Sequence, residues 1–262
     1  MSRVLITGAC GGLGRALCRG FAQRGATLLL TDLDATALEA LAAELSPLTH
    51  VEWLAGDITE PALHQQLLER VETRLGGLDV LVNNAGITHR SLVAKTQSEV
   101  LRRVMRVDWQ APLELAVTML PALQQSRGTI INMGSMAGWI PVLGRGAYCA
   151  AKSALTQSFE VLRCEQRAHG VHILMAYPSF LQTDIEKNAL GFDGAPATHA
   201  RSTIGVPKDT DWFVARLLRA LDAKKDRVYS DYLSRAGKLL WQLCPSLYLS
   251  MMTKKFQVEL QQ

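Results

Sequence analysis

Short apolar runs alternate with helical patterns along most of the chain, and this alternation restricts the possible folds more than any other feature of the sequence. The first unit has the apolar run Val4–Thr7, a glycine-rich turn, and a helical pattern that contains Leu17 and Phe21. Repeated strand–helix units of this length predict a parallel sheet that is covered by helices on both faces. The predicted strands are Val4–Thr7, Thr27–Thr31, Val51–Leu54, Leu78–Val82, Thr129–Met133, Val171–Ala176 and Arg227–Ser230.

Helical patterns fill the intervals between these strands. They cover Ala35–Leu45, about 60–75, most of the chain between Gly86 and Gly128 with a kink expected at Pro112, and Asp211–Leu221. No linker, low-complexity run or internal repeat divides the chain. We therefore expect a single Rossmann-like, doubly wound α/β domain with a parallel sheet of about seven strands over residues 1–235. An apolar, basic helical extension over residues 236–262 would follow it.

The turn after the first predicted strand has the composition of a dinucleotide site. In Gly8–Gly14, four glycines would let a pyrophosphate approach the backbone N–H groups at a helix N-terminus. The second predicted strand ends at Asp32, at the spacing where an acidic residue accepts hydrogen bonds from an adenosine ribose. A carboxylate there repels a 2′-phosphate, so the pattern favours NAD(H) over NADP(H), although Arg15 and Arg24 are basic neighbours. Two alternatives remain: the glycines serve tight geometry alone, and Asp32 only begins the turn before a helix capped by Asp34.

Tyr148 and Lys152 are four residues apart at the start of a helical pattern, so a helix would place them on one face. A neighbouring cation stabilises phenolate and lowers the pKa of a tyrosine, which would let Tyr148 act as a general acid or base. Ser135 follows a predicted strand, and its hydroxyl could bind a substrate oxygen. The alternative is an ordinary surface pair, since tyrosine and lysine with this spacing are common on helices.

Charge and cysteine usage exclude several classes of function. The net charge is +4, and the excess lies after residue 223, with seven basic side chains against three acidic ones. No aromatic residues alternate with basic ones, so we expect no nucleic-acid partner. Five cysteines without a Cys-x-x-Cys pair and six histidines without ligand spacing predict neither a disulfide framework nor a metal site. The apolar run at Val4–Thr7 is too short for a signal peptide, so we expect a soluble, cytoplasmic protein.

Four motifs together resemble the short-chain dehydrogenase/reductase family over roughly residues 3–230. They are Thr7-Gly8-x-x-x-Gly12-x-Gly14, Asn83-Asn84-Ala85-Gly86, Ser135 and Tyr148-x-x-x-Lys152. The resemblance implies that Ser135 and Tyr148 hold a carbonyl or alcohol oxygen, that Tyr148 moves the proton, and that Lys152 assists Tyr148 and binds the nicotinamide ribose. The cofactor contacts that it implies are Thr7, Gly8, Gly11, Gly12, Leu13, Gly14, Asp32, Asp57, Ile58, Asn83, Ala85, Gly86, Tyr148, Lys152, Pro178, Leu181 and Thr183.

The chain departs from the family pattern at two positions. Asp108 stands where the family usually has an asparagine, and Ser179 follows Pro178 where the family has glycine. The family's asparagine is thought to hold a water through its backbone carbonyl, and Asp108 offers the same group. Asp108 therefore joins Ser135, Tyr148 and Lys152 as a candidate catalytic residue.

Residues 184–207 lose helical periodicity and collect glycine and proline, which is typical of a substrate lid or a mobile loop. One set of apolar residues could line the opposite wall and favour a lipophilic alcohol or ketone, or could pack as an ordinary loop. They are Met136, Trp139, Ile140, Val142 and Leu143.

Three further expectations concern surfaces and reactivity. Helices before Gly128 and after Tyr148 suit a homodimer or homotetramer by family resemblance, although core packing explains the same pattern. The tail at 236–262 favours packing on the domain or in a dimer over contact with a membrane surface. Cys10, near a helix N-terminus, would have a lowered pKa and react with alkylating agents, unless it is a buried, inert thiol.

These features predict an NAD(H)-dependent oxidoreductase that interconverts an alcohol and a ketone or aldehyde, with Tyr148 as the general acid or base. Two alternatives stay open. A cofactor-binding sensor or scaffold would bind NADH without turnover. An epimerase or dehydratase on the same fold would recycle its cofactor and show no net change in NADH.

Overall fold

The computed structural model describes residues 1–178, 180–183, 188–197, 207–230 and 232–257. For residues 232–235 it describes the backbone but not the side chains. Its strands are β1 (Arg3–Thr7), β2 (Thr27–Asp32), β3 (Val51–Ala55), β4 (Val80–Asn83), β5 (Thr129–Met133), β6 (His172–Tyr177) and β7 (Arg227–Tyr229). Within these residues they form one seven-stranded sheet in the order β3-β2-β1-β4-β5-β6-β7. Every neighbouring pair is parallel, which confirms the doubly wound sheet predicted from the sequence.

Helices connect the strands and extend the chain after β7. They are α1 (Gly12–Ala22), α2 (Ala35–Leu45), α3 (Pro61–Arg70), α4 (Ser98–Met105), α5 (Ala111–Ser126), α6 (Gly146–Gln166), α7 (Thr210–Asp222), α8 (Tyr232–Leu243) and α9 (Pro245–Lys255). The predicted helical extension is therefore present. It begins before residue 236, because the boundary expected at 235 falls inside α8.

The apolar side chains of the sheet pack in two layers, one on each face. Leu17 of α1, Leu41 of α2 and Phe213 of α7 belong to one buried cluster. Leu67 of α3 and Phe159 of α6 belong to the other, together with residues of α5. Burial of both faces explains why the strands read as continuous apolar runs and not as an alternating pattern.

Two π-helical turns interrupt predicted helices. Val71–Leu75 extends α3, and Arg106–Gln110 joins α4 to α5. Pro112 lies at the start of α5, directly after the second π-helical turn, and the kink expected there stays a prediction. The second turn matters for function because it carries Asp108.

The segment predicted as a lid is described only in part. Residues 184–187 and 198–206 lie outside the described residues. In the described part, Leu190 forms bridges with His89 and Pro196, so this stretch is tied to the loop that follows β4. No helix among the described residues has the length and apolar character needed to cross a membrane.

Candidate active site

A cavity of about 1030 Å³ opens at the carboxyl ends of the strands. The strand order reverses between β1 and β4, which makes this the topological switch point, where ligands of doubly wound folds bind. Segments at the ends of six strands line the cavity: Gly8 and Cys10–Gly14 after β1, Asp32 and Leu33 at the end of β2, Gly56–Thr59 after β3, Asn84–Thr88 after β4, Gly134–Ala137 after β5, and Pro178, Phe180, Leu181 and Thr183 after β6.

The glycine turn is shaped by contact with the loop after β4. Gly8 has φ +64°, and a Cβ there would lie 2.7 Å from the Cα of Ala85. A Cβ on Gly14 would lie 2.0 Å from the carbonyl oxygen of Gly8. Gly11 is the N-cap of α1 and has no side chain that could bond the first N–H groups of the helix. These groups, at the wall of the cavity, can therefore bind an anion. These features fit the pyrophosphate of a dinucleotide.

Thr7 and Asn84 hold the two loops together. The Thr7 hydroxyl accepts hydrogen bonds from the backbone N–H groups of Asn84 and Ala85, both at 3.0 Å. The Asn84 side-chain amide donates to the carbonyl oxygens of Thr7 (3.0 Å) and Gly8 (2.9 Å). The backbone at the switch point is therefore fixed by side chains before any ligand binds.

Asp32 lies at the end of β2 on the wall of the cavity. Its carboxylate accepts hydrogen bonds from the backbone N–H of Cys10 at 2.8 Å and of Leu33 at 2.7 Å. The Asp34 side chain accepts from the N–H of Ala37 and caps α2, as the alternative interpretation of this turn expected. Asp34 caps α2 while Asp32 lines the cavity, so the helix cap does not exclude a role of Asp32 in binding a ribose.

Ser135, Tyr148 and Lys152 line the same cavity as the glycine turn. Ser135 follows β5, and its hydroxyl accepts a hydrogen bond from the N–H of Ala137 at 3.2 Å. Lys152 is buried; its Nζ donates to the carbonyl oxygen of Met133 at 3.1 Å and lies 5.7 Å from the centre of the Tyr148 ring. Helix α6 thus places an ammonium beside a phenol, as the spacing predicted.

Asp108 is wholly buried behind this pair. Its Oδ1 accepts a hydrogen bond from the N–H of Ile87 at 2.8 Å and lies 3.9 Å from the Nζ of Lys152. Burial raises the pKa of the Asp108 carboxyl to about 6, although the Lys152 charge and the Ile87 hydrogen bond act in the opposite direction. A Cβ on Gly86 would lie 2.9 Å from this oxygen, so glycine is needed there for close packing.

Of the two expectations for Cys10, the structure favours the inert thiol over the reactive one. Partial burial and the negative charge of Asp32 raise the pKa of the Cys10 thiol to about 11. Those effects outweigh the Arg15 cation, which lowers the pKa. The thiol is therefore protonated at neutral pH, as in the inert alternative.

Most of the site residues expected from the sequence line one cavity, and three do not. Thr7 lies beneath the glycine turn and Asp108 behind Lys152. Asn83 is buried, and its amide nitrogen donates to the side chain of Asn132 (2.9 Å) and to the carbonyl oxygen of Pro112 (3.2 Å). Its role is to join β4, β5 and α5, while the next residue, Asn84, faces the cavity.

The predicted apolar wall is only partly present. Met136 and Val142 line the cavity. Trp139 instead packs edge-on against Tyr177, with ring centres 4.2 Å apart, and also against Tyr229.

Sequence reasoning missed four arginines that line the cavity. Arg102, Arg103 and Arg106 come from α4 and the turn after it, and Arg145 precedes α6. Arg102, Arg103 and Arg106 form an Arg-Arg-x-x-Arg cluster that is visible in the sequence.

A glycine turn at the switch point, with a tyrosine, a lysine and a serine in the same cavity, is typical of dinucleotide-dependent oxidoreductases. The comparisons with known proteins agree: the family model described as "short chain dehydrogenase" matches residues 2–191, and the chain belongs to this family. Dehydrogenase/reductase SDR family member 7B of Bos taurus is 32% identical over 272 residues, which cover 98% of this chain and 82% of that protein.

Two solved structures extend the similarity. A short-chain dehydrogenase from Sphingobium yanoikuyae in complex with NADPH is 26% identical, with a TM-score of 0.79 over 97% of this chain and 95% of that one. A short chain dehydrogenase/reductase from Burkholderia phymatum in complex with NAD is 21% identical and shares the fold, with a TM-score of 0.83 over 94% of each chain. A nicotinamide cofactor is thus supported for this family member.

Proposed function

We propose that this protein interconverts an alcohol and a ketone or aldehyde, using NAD(H), with Tyr148 as the proton-transfer group. The observation that carries the proposal is the placement of Tyr148, Lys152 and Ser135 in the cavity that also contains the glycine turn. A bound nicotinamide would supply or accept the hydride at the substrate carbon.

The protein's own residues would perform the remaining steps. The Ser135 hydroxyl would bind the substrate oxygen, and the Tyr148 hydroxyl would give that oxygen a proton in reduction and take it in oxidation. The Lys152 ammonium stabilises the phenolate that remains after the proton leaves. Met136, Val142 and Phe180 give part of the cavity an apolar lining, which favours a lipophilic substrate.

A panel of alcohols and ketones, followed at 340 nm with NAD(H) and with NADP(H), tests the reaction. We expect turnover of at least one lipophilic alcohol–ketone pair. NADH binding without turnover of any member would contradict the proposal and favour a sensor. Product formation without net change in NADH would instead indicate an epimerase or dehydratase.

The preference for NAD(H) is proposed from Asp32. Its carboxylate lines the cavity and would repel the extra phosphate of NADP(H). The Arg15 side chain, which would attract that phosphate, donates to the carbonyl oxygen of Cys10 at 3.0 Å and does not itself line the cavity. We expect Asp32→Ser to raise the ratio of kcat/KM for NADP to kcat/KM for NAD by about tenfold or more, since about 1.4 kcal/mol of lost repulsion corresponds to tenfold.

Asp34→Ser is the matched control, because Asp34 caps α2 and does not line the cavity. This variant should keep the cofactor preference of the unchanged protein. An equal shift in both variants, or none in Asp32→Ser, would show that Asp32 does not set the preference.

We also propose a homo-oligomer. Helices α5 and α6 expose Val117 and Val161, which are 54% and 55% accessible, and these are helices on which family members pair. Light scattering on the purified protein measures the state directly, and a monomer at micromolar concentration would contradict the proposal.

A further inference from the structure

The two C-terminal helices form a hairpin with an unusual charge. Residues 232–257, which hold α8 and α9, contain four basic residues and no aspartate or glutamate. The basic residues are Arg235, Lys238, Lys254 and Lys255. We call this segment the C-terminal hairpin.

One side of the C-terminal hairpin is attached to the domain. Met252 and Phe256 are buried, and the Tyr248 hydroxyl donates to the carbonyl oxygen of Pro141 at 3.0 Å. The Lys238 ammonium lies 5.2 Å from the centre of the Trp139 ring. The hairpin therefore has a fixed position on the loop between β5 and α6, which also lines the cavity.

The other side of the hairpin leaves large apolar side chains in solvent. Leu243 and Leu247, on either side of the turn, are 71% and 52% accessible. One helical turn farther from the tip, Leu239 and Met251 are 56% and 55% accessible. The whole tip, residues 242–247, is exposed.

Apolar and basic residues occur together on α9. Leu247, Met251 and Lys255 are spaced by four residues, which places them along one face of the helix. Tyr248, Met252 and Phe256 form the adjacent face that is directed toward the domain. Exposed apolar side chains beside exposed lysines give this surface the two features, apolar area and positive charge, through which a helix binds an anionic membrane interface.

We propose that the C-terminal hairpin docks on an anionic lipid surface. Its tip leucines would enter the boundary between headgroups and acyl chains, and Lys254 and Lys255 would contact anionic headgroups. The positive charge favours an anionic lipid over a second copy of the hairpin. A symmetric contact between two hairpins would bring basic residues together, and neither hairpin has an acidic residue to offset the repulsion. This inference does not depend on the proposed reaction.

Vesicle flotation of the full-length protein tests the docking. We expect the protein to float with vesicles of phosphatidylcholine and phosphatidylglycerol, and to float at least tenfold less with phosphatidylcholine alone. The double variant Leu243→Asp/Leu247→Asp should lose at least tenfold in partitioning to the anionic vesicles. Leu48→Asp is the matched control, because Leu48 is 54% accessible but far from the hairpin in the chain, after α2, and it should float like the unchanged protein.

A second variant separates charge from apolar insertion. Lys254→Gln/Lys255→Gln keeps every leucine, and we expect at least a tenfold loss on anionic vesicles with little change on neutral ones, since each lysine near an anionic surface contributes about fivefold. Circular dichroism verifies that each variant is folded. Failure of the unchanged protein to float would overturn the proposal. Conversion of an oligomer to a smaller species by Leu243→Asp/Leu247→Asp, without vesicle binding, would assign the surface to a second copy.

Discussion

At the scale of single residues, the site depends on charges that are buried together. Lys152 comes from α6 and Asp108 from the π-helical turn after α4, and the two are 44 positions apart in the chain, with side-chain atoms 3.9 Å apart. Burial disfavours the ionised form of the Asp108 carboxyl, and its pKa is therefore raised to about 6. The ionised form at neutral pH therefore has a cost in folding free energy.

Asp108→Asn should change how stability depends on pH. Because the folded-state pKa of Asp108 is raised from 3.8 to about 6, its favourable contribution to the free energy of unfolding is fully present below about pH 4 and is lost as pH rises through 6. The free energy of unfolding of the unchanged protein minus that of the variant should therefore fall by about 2 kcal/mol between pH 4.5 and 7.5. Urea unfolding at both pH values measures this difference.

The same variant should keep turnover within a few-fold at neutral pH. Asparagine has the same backbone carbonyl and an Oδ1 that can accept the hydrogen bond from Ile87, which is 2.8 Å long in the unchanged protein. Parallel stability curves for the two proteins would contradict the raised pKa. A hundredfold loss of turnover would show that the carboxylate itself takes part in catalysis.

At the scale of elements, the glycine turn is defined by how closely it packs. Gly14 and Gly11 are three residues apart, yet the space around them differs. A Cβ on Gly14 would lie 2.0 Å from a backbone carbonyl oxygen, while on Gly11 the nearest atom would be 3.6 Å away.

Gly14→Ala should destabilise the fold more than Gly11→Ala, which loses only the preference for glycine over alanine at an N-cap. Forcing a methyl group against backbone costs about 2 kcal/mol, which corresponds to a fall in Tm of about 5 °C for a chain of this size. Differential scanning calorimetry of the two variants gives the comparison. An equal fall in both, or none in Gly14→Ala, would mean that the turn relaxes and that its geometry is not fixed by close packing.

Most elements of the fold could be predicted from the sequence because strands buried on both faces read as continuous apolar runs. Val4–Thr7 and Thr129–Met133 were found almost to the residue for this reason. The π-helical turns could not be predicted, because their hydrogen-bond register depends on what they pack against. The start of α8 was missed by four residues, since it was placed by composition and not by a capping signal.

The candidate site was predictable where local spacing determines it. Tyr148 and Lys152 share one face of α6 by helical geometry alone. Residue pairs that meet through the tertiary fold were not visible, such as Asp108 with Lys152 and Asp32 with Cys10. The sequence left the reactivity of Cys10 open for that reason: its helix N-terminus is local, but the burial and the β2 carboxylate that raise its pKa come from the tertiary fold.

At the scale of the whole molecule, the parallel sheet brings distant segments to one edge. The reversal of strand order between β1 and β4 opens a crevice that the loops after β1 to β6 line. The expected cofactor contacts come mainly from the first half of the chain, and the proposed proton-transfer residues come from the second. Binding and catalysis should therefore be separable by a single substitution.

The direct measurement is the turnover of Tyr148→Phe on a substrate found in the panel, together with its affinity for NADH. The variant keeps the ring and Lys152 but has no proton to transfer, so kcat should fall by about 10²- to 10⁴-fold, which is about 3 to 5 kcal/mol of activation free energy. NADH affinity should stay within a few-fold. Tyr229→Phe, which removes a hydroxyl outside the cavity, should leave kcat unchanged. Turnover of Tyr148→Phe within a few-fold of the unchanged protein would contradict the assignment of Tyr148 as the proton-transfer group.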